Sequence, residues 1–561
     1  MLHRAWLAVV FIVLYTCIFA QADSLFVQPL ADSTLVVVPQ VSKAEVAAWI
    51  NEHNRSITAN VFDNIPLYAD YGDIYHSGYY YIGRPNVQMP SRLGFEQIPG
   101  AFASTLYHGY YYSLYPQSSG INTVDYSNEE YPFAPALSSI RASLGDYEHH
   151  YAHVSLKKNS LFSYPGVCYQ GDLLVQSGVW TDIVSAETSQ KHYLSISGSN
   201  VTVEAEYASL AKDIAMTELM PVYWQNTNFS IAHQLKHYYA AIKHPNAELS
   251  IINSNESASA REFARNLKQR STQMKLALVT NAGIYQCQAY YEHALNHSNS
   301  AKLGMFSSQT YQNKLGMEVK GFMPWGYSLK ADYLDWKQGR LYADLDLPLG
   351  SYNFGAYTAA LIGSEASPDS VISIYNLTDY LPLLGVSVRR EQAVFCRYTW
   401  QGISGLVAGG SKNIRQKSTF SWLDSQDEQL FIRIAIDIKQ RWGKWELQAR
   451  PQWVWTKADA PMVESPEFRF QSGQNLIYHL PWNNSLLAGF GVSGHSGYYA
   501  ANAVLPFLIE ASTVLDAWAG FDIDSFFQFR AGVKNALSST IYAASPVPWA
   551  LYAELKWLYL N

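Results

Sequence analysis

The feature that most limits this chain is a two-residue alternation of apolar and charged side chains, sustained over long segments. In Phe431–Trp442, Ile432, Ile434, Ile436, Ile438 and Trp442 share one face, while Arg433, Asp437, Lys439 and Arg441 share the other. After Gly443-Lys444 the pattern resumes, with Trp445, Leu447, Ala449, Trp453 and Trp455 set against Glu446, Gln448, Arg450 and Gln452. Each run is about 12 residues, against roughly 5–6 in globular sheets and roughly 9–11 for a tilted membrane strand. Strands of that length with one nearly uncharged face suit a boundary between lipid and water. A half-buried strand of a soluble sandwich is the alternative for any single one of them.

The device recurs. Leu329, Ala331 and Tyr333 oppose Ser328, Lys330 and Asp332 after a turn at Pro324-Trp325-Gly326. Leu341, Ala343, Leu345 and Leu347 oppose Tyr342, Asp344 and Asp346, with Pro348-Leu349-Gly350 as the next turn. Further on, Leu515, Ala517, Ala519, Phe521 and Ile523 alternate with Asp516 and Asp522. Asp524-Ser525 then turns the chain into Phe527, Phe529, Ala531 and Val533, alternating with Gln528, Arg530 and Lys534. Longer polar stretches such as Asn253–Thr272 and Thr456–Glu467 read as loops. Trp442, Trp445, Trp453 and Trp455 lie near strand ends, where amphipathic rings settle at a lipid–water boundary. These features predict an all-β fold over residues 136–561: a transmembrane antiparallel β-barrel of roughly 14–18 strands, with tight turns at one rim and longer loops at the other.

Composition agrees. Charged residues make up 15 % and aromatics 14 % of the 561 residues, with 41 tyrosines. Past the N-terminus no apolar run approaches the ~18 residues of a membrane helix. The formal charge of −7 is spread along the chain and gives no footprint for nucleic acid. Met1–Arg4, the apolar stretch Ala5–Ala20 and Ala20-Gln21-Ala22 form a signal peptide, residues 1–22, and imply export. Cys17 is preceded by Tyr15 and Thr16, where a lipoprotein signal needs small residues. Cys168, Cys287 and Cys396 are far apart in sequence and suit neither a disulfide framework nor a zinc site.

The chemical motifs are weak. Gly489-Phe490-Gly491-Val492-Ser493-Gly494 fits G-x-G-x-x-G, but no helical periodicity follows, so glycines in a barrel strand explain it better than a dinucleotide site. Ala294 stands where a zinc protease built on His293 and His297 needs glutamate. His149, His150 and His153 read as loop polar residues, and no serine sits in a G-x-S-x-G turn. No catalytic residue, metal ligand or cofactor is assigned, and no enzyme activity is expected.

The last strand carries a resemblance. Trp549, Leu551, Ala553, Leu555, Trp557 and Tyr559 alternate with Tyr552, Glu554 and Lys556. This is similar to the amphipathic strand that outer-membrane barrels present to the barrel-assembly machinery, although Leu560-Asn561 replaces the usual terminal aromatic. Phe527–Leu537 and Pro548–Asn561 together resemble the final two strands of TonB-dependent receptor barrels. Near the other end, Asp32-Ser33-Thr34-Leu35-Val36-Val37-Val38 resembles the TonB box, which pairs with an energy transducer by strand addition.

Residues 23–135 read as an N-terminal plug-like or cap segment. Ser42–Asn51 has helical spacing, and the remainder is rich in Tyr, Gly and Pro. Asn64-Ile65-Pro66 through Tyr71-Gly72-Asp73, and Ile121–Ile140, resemble the start and end of a receptor plug; the Arg-Gly motifs that mark such plugs are absent. A periplasmic cap or extra porin-type strands fit the same residues. The resemblance implies a barrel in the cell outer membrane of a Gram-negative-type bacterium, surrounded by lipid and taking up an unidentified small solute with a TonB-type partner. The alternatives are a porin-like passive channel and a structural or secretion-associated barrel. Asp344, Asp346, Arg433, Asp437, Lys439 and Arg441 are the candidate lumen-lining residues.

Overall fold

The computed structural model describes residues 45–46, three short strands between 67 and 99, and most of 135–560. From Leu137 to Leu560 the chain forms a closed antiparallel barrel of 22 strands, each paired with its neighbour in the ring. The ring is sealed where Ala550–Leu560 pairs with Leu137–Gly145, from Tyr552↔Gly145 to Leu560↔Leu137.

The sequence expectation of roughly 14–18 strands is therefore too low. Asn253–Thr272, expected as a loop, is the upper half of a hairpin paired from Asn253↔Thr272 to Ala260↔Arg265. Both faces of that hairpin are polar, so it carries no alternation to read. Conversely, Trp445–Ala449 and Gln452–Ala458 are one strand, because Ile438↔Ala449 and Ala435↔Gln452 keep a single register. Pro451 brings no N–H and interrupts the ladder without shifting it.

Two-residue turns at Pro245-Asn246, Gly283-Ile284, Gly350-Ser351, Gln401-Gly402 and Gly443-Lys444 all lie at one rim. Gly283 and Gly350 (φ 64° each) and Gly443 (φ 59°) hold the left-handed conformation such hairpins need. Pro348 and Leu349, expected in a turn, instead continue their strand, paired with Asn353 and Tyr352. Leu137 and Leu560 lie at this same rim. The longest connections, between Gly363 and Leu383 and between His495 and Ser512, lie at the other.

The two faces of the wall differ as the alternation requires. Leu430 and Ile432 are 50 % and 46 % exposed on the outside, while Phe431 and Arg433 on the inner face are 3 % and 4 % exposed. Outward Leu, Ile, Val and aromatic side chains remain exposed all round the ring, the reverse of a soluble protein, and this is the belt a bilayer covers. Exposed Tyr285, Tyr352, Trp400, Trp442 and Trp445 begin or end their strands at the short-turn rim and form an aromatic girdle there. Their rings extend into cross-strand pairs, Trp445–Tyr478 at 4.7 Å and Tyr352–Tyr398 at 4.8 Å between centroids.

Aromatic rings also cover glycines of neighbouring strands. Trp518 covers Gly489 and flanks Gly491, and its indole N–H donates to Asn475 Oδ1 at 2.8 Å. Phe470 covers Gly494. The G-x-G-x-x-G run is thus a bed for rings, and a Cβ at Gly489 would collide with Trp518.

Leu67–Asp70, Asp73–Ser77 and Phe95–Pro99 form a separate three-stranded antiparallel sheet. Within the helix expected over Ser42–Asn51, Glu45 and Val46 are helical. The expected signal peptide, residues 1–22, and the expected TonB-box-like segment Asp32–Val38 lie outside the described residues.

Candidate functional site

The inner wall concentrates charge near the short-turn rim. Lys243 Nζ meets Glu204 Oε1 at 2.8 Å, and Tyr239 donates its hydroxyl to Glu204 Oε2 at 3.2 Å. Lys320 meets Glu318 at 3.2 Å, and Arg397 meets Asp346 at 3.8 Å. Glu446 gathers three partners: Gln448 Nε2 donates to Oε1 at 2.8 Å, Lys439 Nζ approaches Oε1 at 3.4 Å, and His479 Nε2 lies 3.1 Å from Oε2. Every one of these residues sits within a few positions of a short turn. At about 3.4 Å of rise per residue, they form a belt in the lowest part of the wall.

The sequence-nominated residues divide into two patches four strands apart around the ring. On Ser425–Trp442, Arg433 donates to Gln452 Oε1 at 3.2 Å, Asp437 pairs with Arg450 at 3.4 Å, and Arg441 Nε donates to the Gly443 carbonyl at 3.2 Å. Lys439 joins the Glu446 group on the same patch. On Gln338–Leu349, Asp346 faces inward and Asp344 is placed by register, opposite Ser328 and Tyr357. Arg397 lies over the Phe395 ring, 4.9 Å from its centroid, beside this second patch. The inner partners Glu204, Glu318, Arg397 and His479 were not singled out in the sequence, and Glu446 was placed only on a polar strand face. The available signal was a charged or titratable residue within about four positions of each tight turn, on the face opposite the girdle aromatics.

In the last strand, Leu551, Trp557 and Tyr559 are 52 %, 48 % and 52 % exposed on the outer face, in line with Ala553 and Leu555, and Trp549, 49 % exposed, immediately precedes the strand. Among the described residues, Cys168, Cys287 and Cys396 form no disulfide, Cys168 Sγ donates to Asn159 Oδ1 at 3.0 Å, and no cluster of three His, Cys, Asp or Glu is placed to hold a metal. His293 faces outward, with Nδ1 2.8 Å from Asn313 Oδ1, and does not approach a metal-binding geometry with its neighbours.

A 22-strand closed barrel with an exposed apolar belt defines the class: a large membrane-type β-barrel. Solved structures that share this fold include receptors of the outer membrane. The siderophore receptor PirA from Acinetobacter baumannii superposes with a TM-score of 0.54 at 8 % identity, covering 76 % of this chain and 81 % of that one. The outer-membrane ferripyoverdine receptor of Pseudomonas aeruginosa gives 0.56 at 9 %, covering 76 % and 72 %. The FrpB iron transporter from Neisseria meningitidis gives 0.59 at 7 %, covering 76 % and 81 %. No protein-family model matches the chain, and no curated protein matches it in sequence.

Proposed function

We propose that this protein is an outer-membrane transport receptor that takes up a small solute by active, partner-driven opening of an occluded barrel. The observation that carries the reading is the strand number. Twenty-two strands at ~4.8 Å spacing and a tilt near 40° enclose a lumen roughly 40 Å across, too wide for side chains to fill. Barrels of 16–18 strands serve as open channels, whereas those of about 22 carry a plug. Residues 23–135 are the stretch of chain to which we assign that role. In this reading the inner charged residues, Asp344, Asp346, Arg433, Asp437, Lys439 and Arg441 included, contact either the plug or the solute as it passes.

The fold shared with a siderophore receptor and an iron transporter supports a role in small-solute transport. The Asp32–Val38 segment is the handle by which a TonB-type transducer pulls. A photo-cross-linking residue placed at Gln40, just beyond the segment, in the full chain and in living cells, should trap a periplasmic energy-transducing protein, and deletion of Asp32–Val38 with the cross-linker kept should remove the adduct. A folded, surface-assembled chain that yields no such adduct would overturn active uptake and leave the passive channel.

A further inference from the structure

The outer wall over the seven strands from Ile183 to Gly321 is layered row by row. Register places Val203, Ile242, Leu249 and Leu276 side by side across four strands as an apolar row. Two rows further from the short turns, Tyr207, Tyr238, Asn253 and Thr272 line up, with Tyr207 and Tyr238 5.2 Å apart between ring centroids. In the next row Lys236, Asn255 and Arg270 are neighbours, and above Arg270 on the same face stands Lys268, opposite Ser257. Apolar, then aromatic, then cationic is the order a membrane crossing imposes from its centre to its surface.

Lys236, Lys268 and Arg270 are all exposed, and none forms an ion pair among the described residues. Asn255 between them donates to Asn253 Oδ1 at 2.9 Å, which turns its amide away from the cations. On these seven strands the single acidic residue that register places on the outer face is Asp213, two rows above Lys236 on the adjacent strand. Lys236 and Arg270 are two strand spacings apart, about 10 Å, and Lys268 is about 7 Å from Arg270 along its strand. Three long cationic side chains can therefore converge on one doubly or singly charged group. The height is also right. From Ala282, paired with girdle Tyr285, up the strand to Arg270 is about 40 Å of extended chain, or roughly 30 Å along the membrane normal at a tilt near 40°.

We propose that Lys236, Lys268 and Arg270 form a binding site on the outer wall for the phosphate of a phosphorylated lipid headgroup in the outer leaflet, with its acyl chains lying on the apolar rows below. This site rests on the outer-membrane reading, with the short turns facing the periplasm. The wall there is convex and directly above the apolar belt, so a ligand with acyl chains fits it and a free anion gains little.

The test uses the full chain in dodecyl maltoside, titrated with bisphosphorylated lipid A and, separately, with its dephosphorylated form. Retained lipid is quantified by mass spectrometry. The native chain should retain the phosphorylated lipid more than about tenfold better than the dephosphorylated one. The triple variant Lys236→Gln/Lys268→Gln/Arg270→Gln should lose that difference, and millimolar inorganic phosphate should not compete. Equal retention of both lipids by the native chain would overturn the site even if the variant fails to fold. Undiminished phosphate-dependent retention by a folded variant would overturn it too, as would displacement by inorganic phosphate. Heat-modifiable gel mobility of the same samples reports separately on whether the chain is a folded membrane barrel.

Discussion

The amide of Leu551 donates to the carboxylate of Asp146 at 2.8 Å, and the amide of Asp146 donates back to the carbonyl of Leu551 at 2.9 Å. These residues are 405 positions apart and sit where the last strand meets the first. Asp146 thereby clamps the upper end of the seam that closes the ring. Asp146→Ala removes a charge-assisted bond, a loss of about 1–2 kcal/mol for a solvent-exposed acceptor. The temperature at which the compact barrel converts to the slower, unfolded gel band should fall, and Asp146→Asn should fall less. An unchanged conversion temperature in Asp146→Ala would show that the seam is held by the ladder alone.

Trp518 lying on Gly489 gives a second test. Gly489→Val pushes the ring off its bed and strips the indole bond to Asn475, for a cost of about 1–3 kcal/mol from overpacking. Tryptophan fluorescence should shift, and the conversion temperature should drop. Adding Trp518→Ala should recover part of the loss, because the clash partner is gone. Strictly additive losses would contradict the packing relationship.

Glu446 receives Gln448, Lys439 and His479, and its side chain is only 8 % exposed. Glu446→Ala leaves Lys439 and Gln448 without their acceptor and should cost about 1–3 kcal/mol. Glu446→Gln keeps an acceptor oxygen and should cost less. The same ordering should appear in urea-dependent unfolding in detergent. Equal stability of Glu446→Ala and the native chain would reduce the belt to a solvated face.

The sequence disclosed its fold unevenly, for a physical reason. Strands such as Ser425–Trp442 and Ser512–Ile523 keep an apolar outer face along most of their length, so Ile432–Ile438 and Leu515–Ile523 announce them. Ala247–Ala260 and Arg265–Ala282 run past the apolar belt, and their outer residues turn to Asn253, Asn255, Arg270 and Lys268. There both faces are polar, periodicity vanishes, and the strand count came out low. The inner pairs were hidden differently. Arg397 finds Asp346 across an intervening strand, and no local pattern links two positions brought together only by ring geometry.

Conductance of the purified chain in a planar bilayer bathed in potassium chloride tests occlusion of the 22-strand lumen. The full chain should remain closed, and the chain lacking residues 23–135, still a heat-modifiable barrel, should form wide, stable pores. A full chain that conducts as freely as the shortened one would contradict the occluded receptor and establish an open channel.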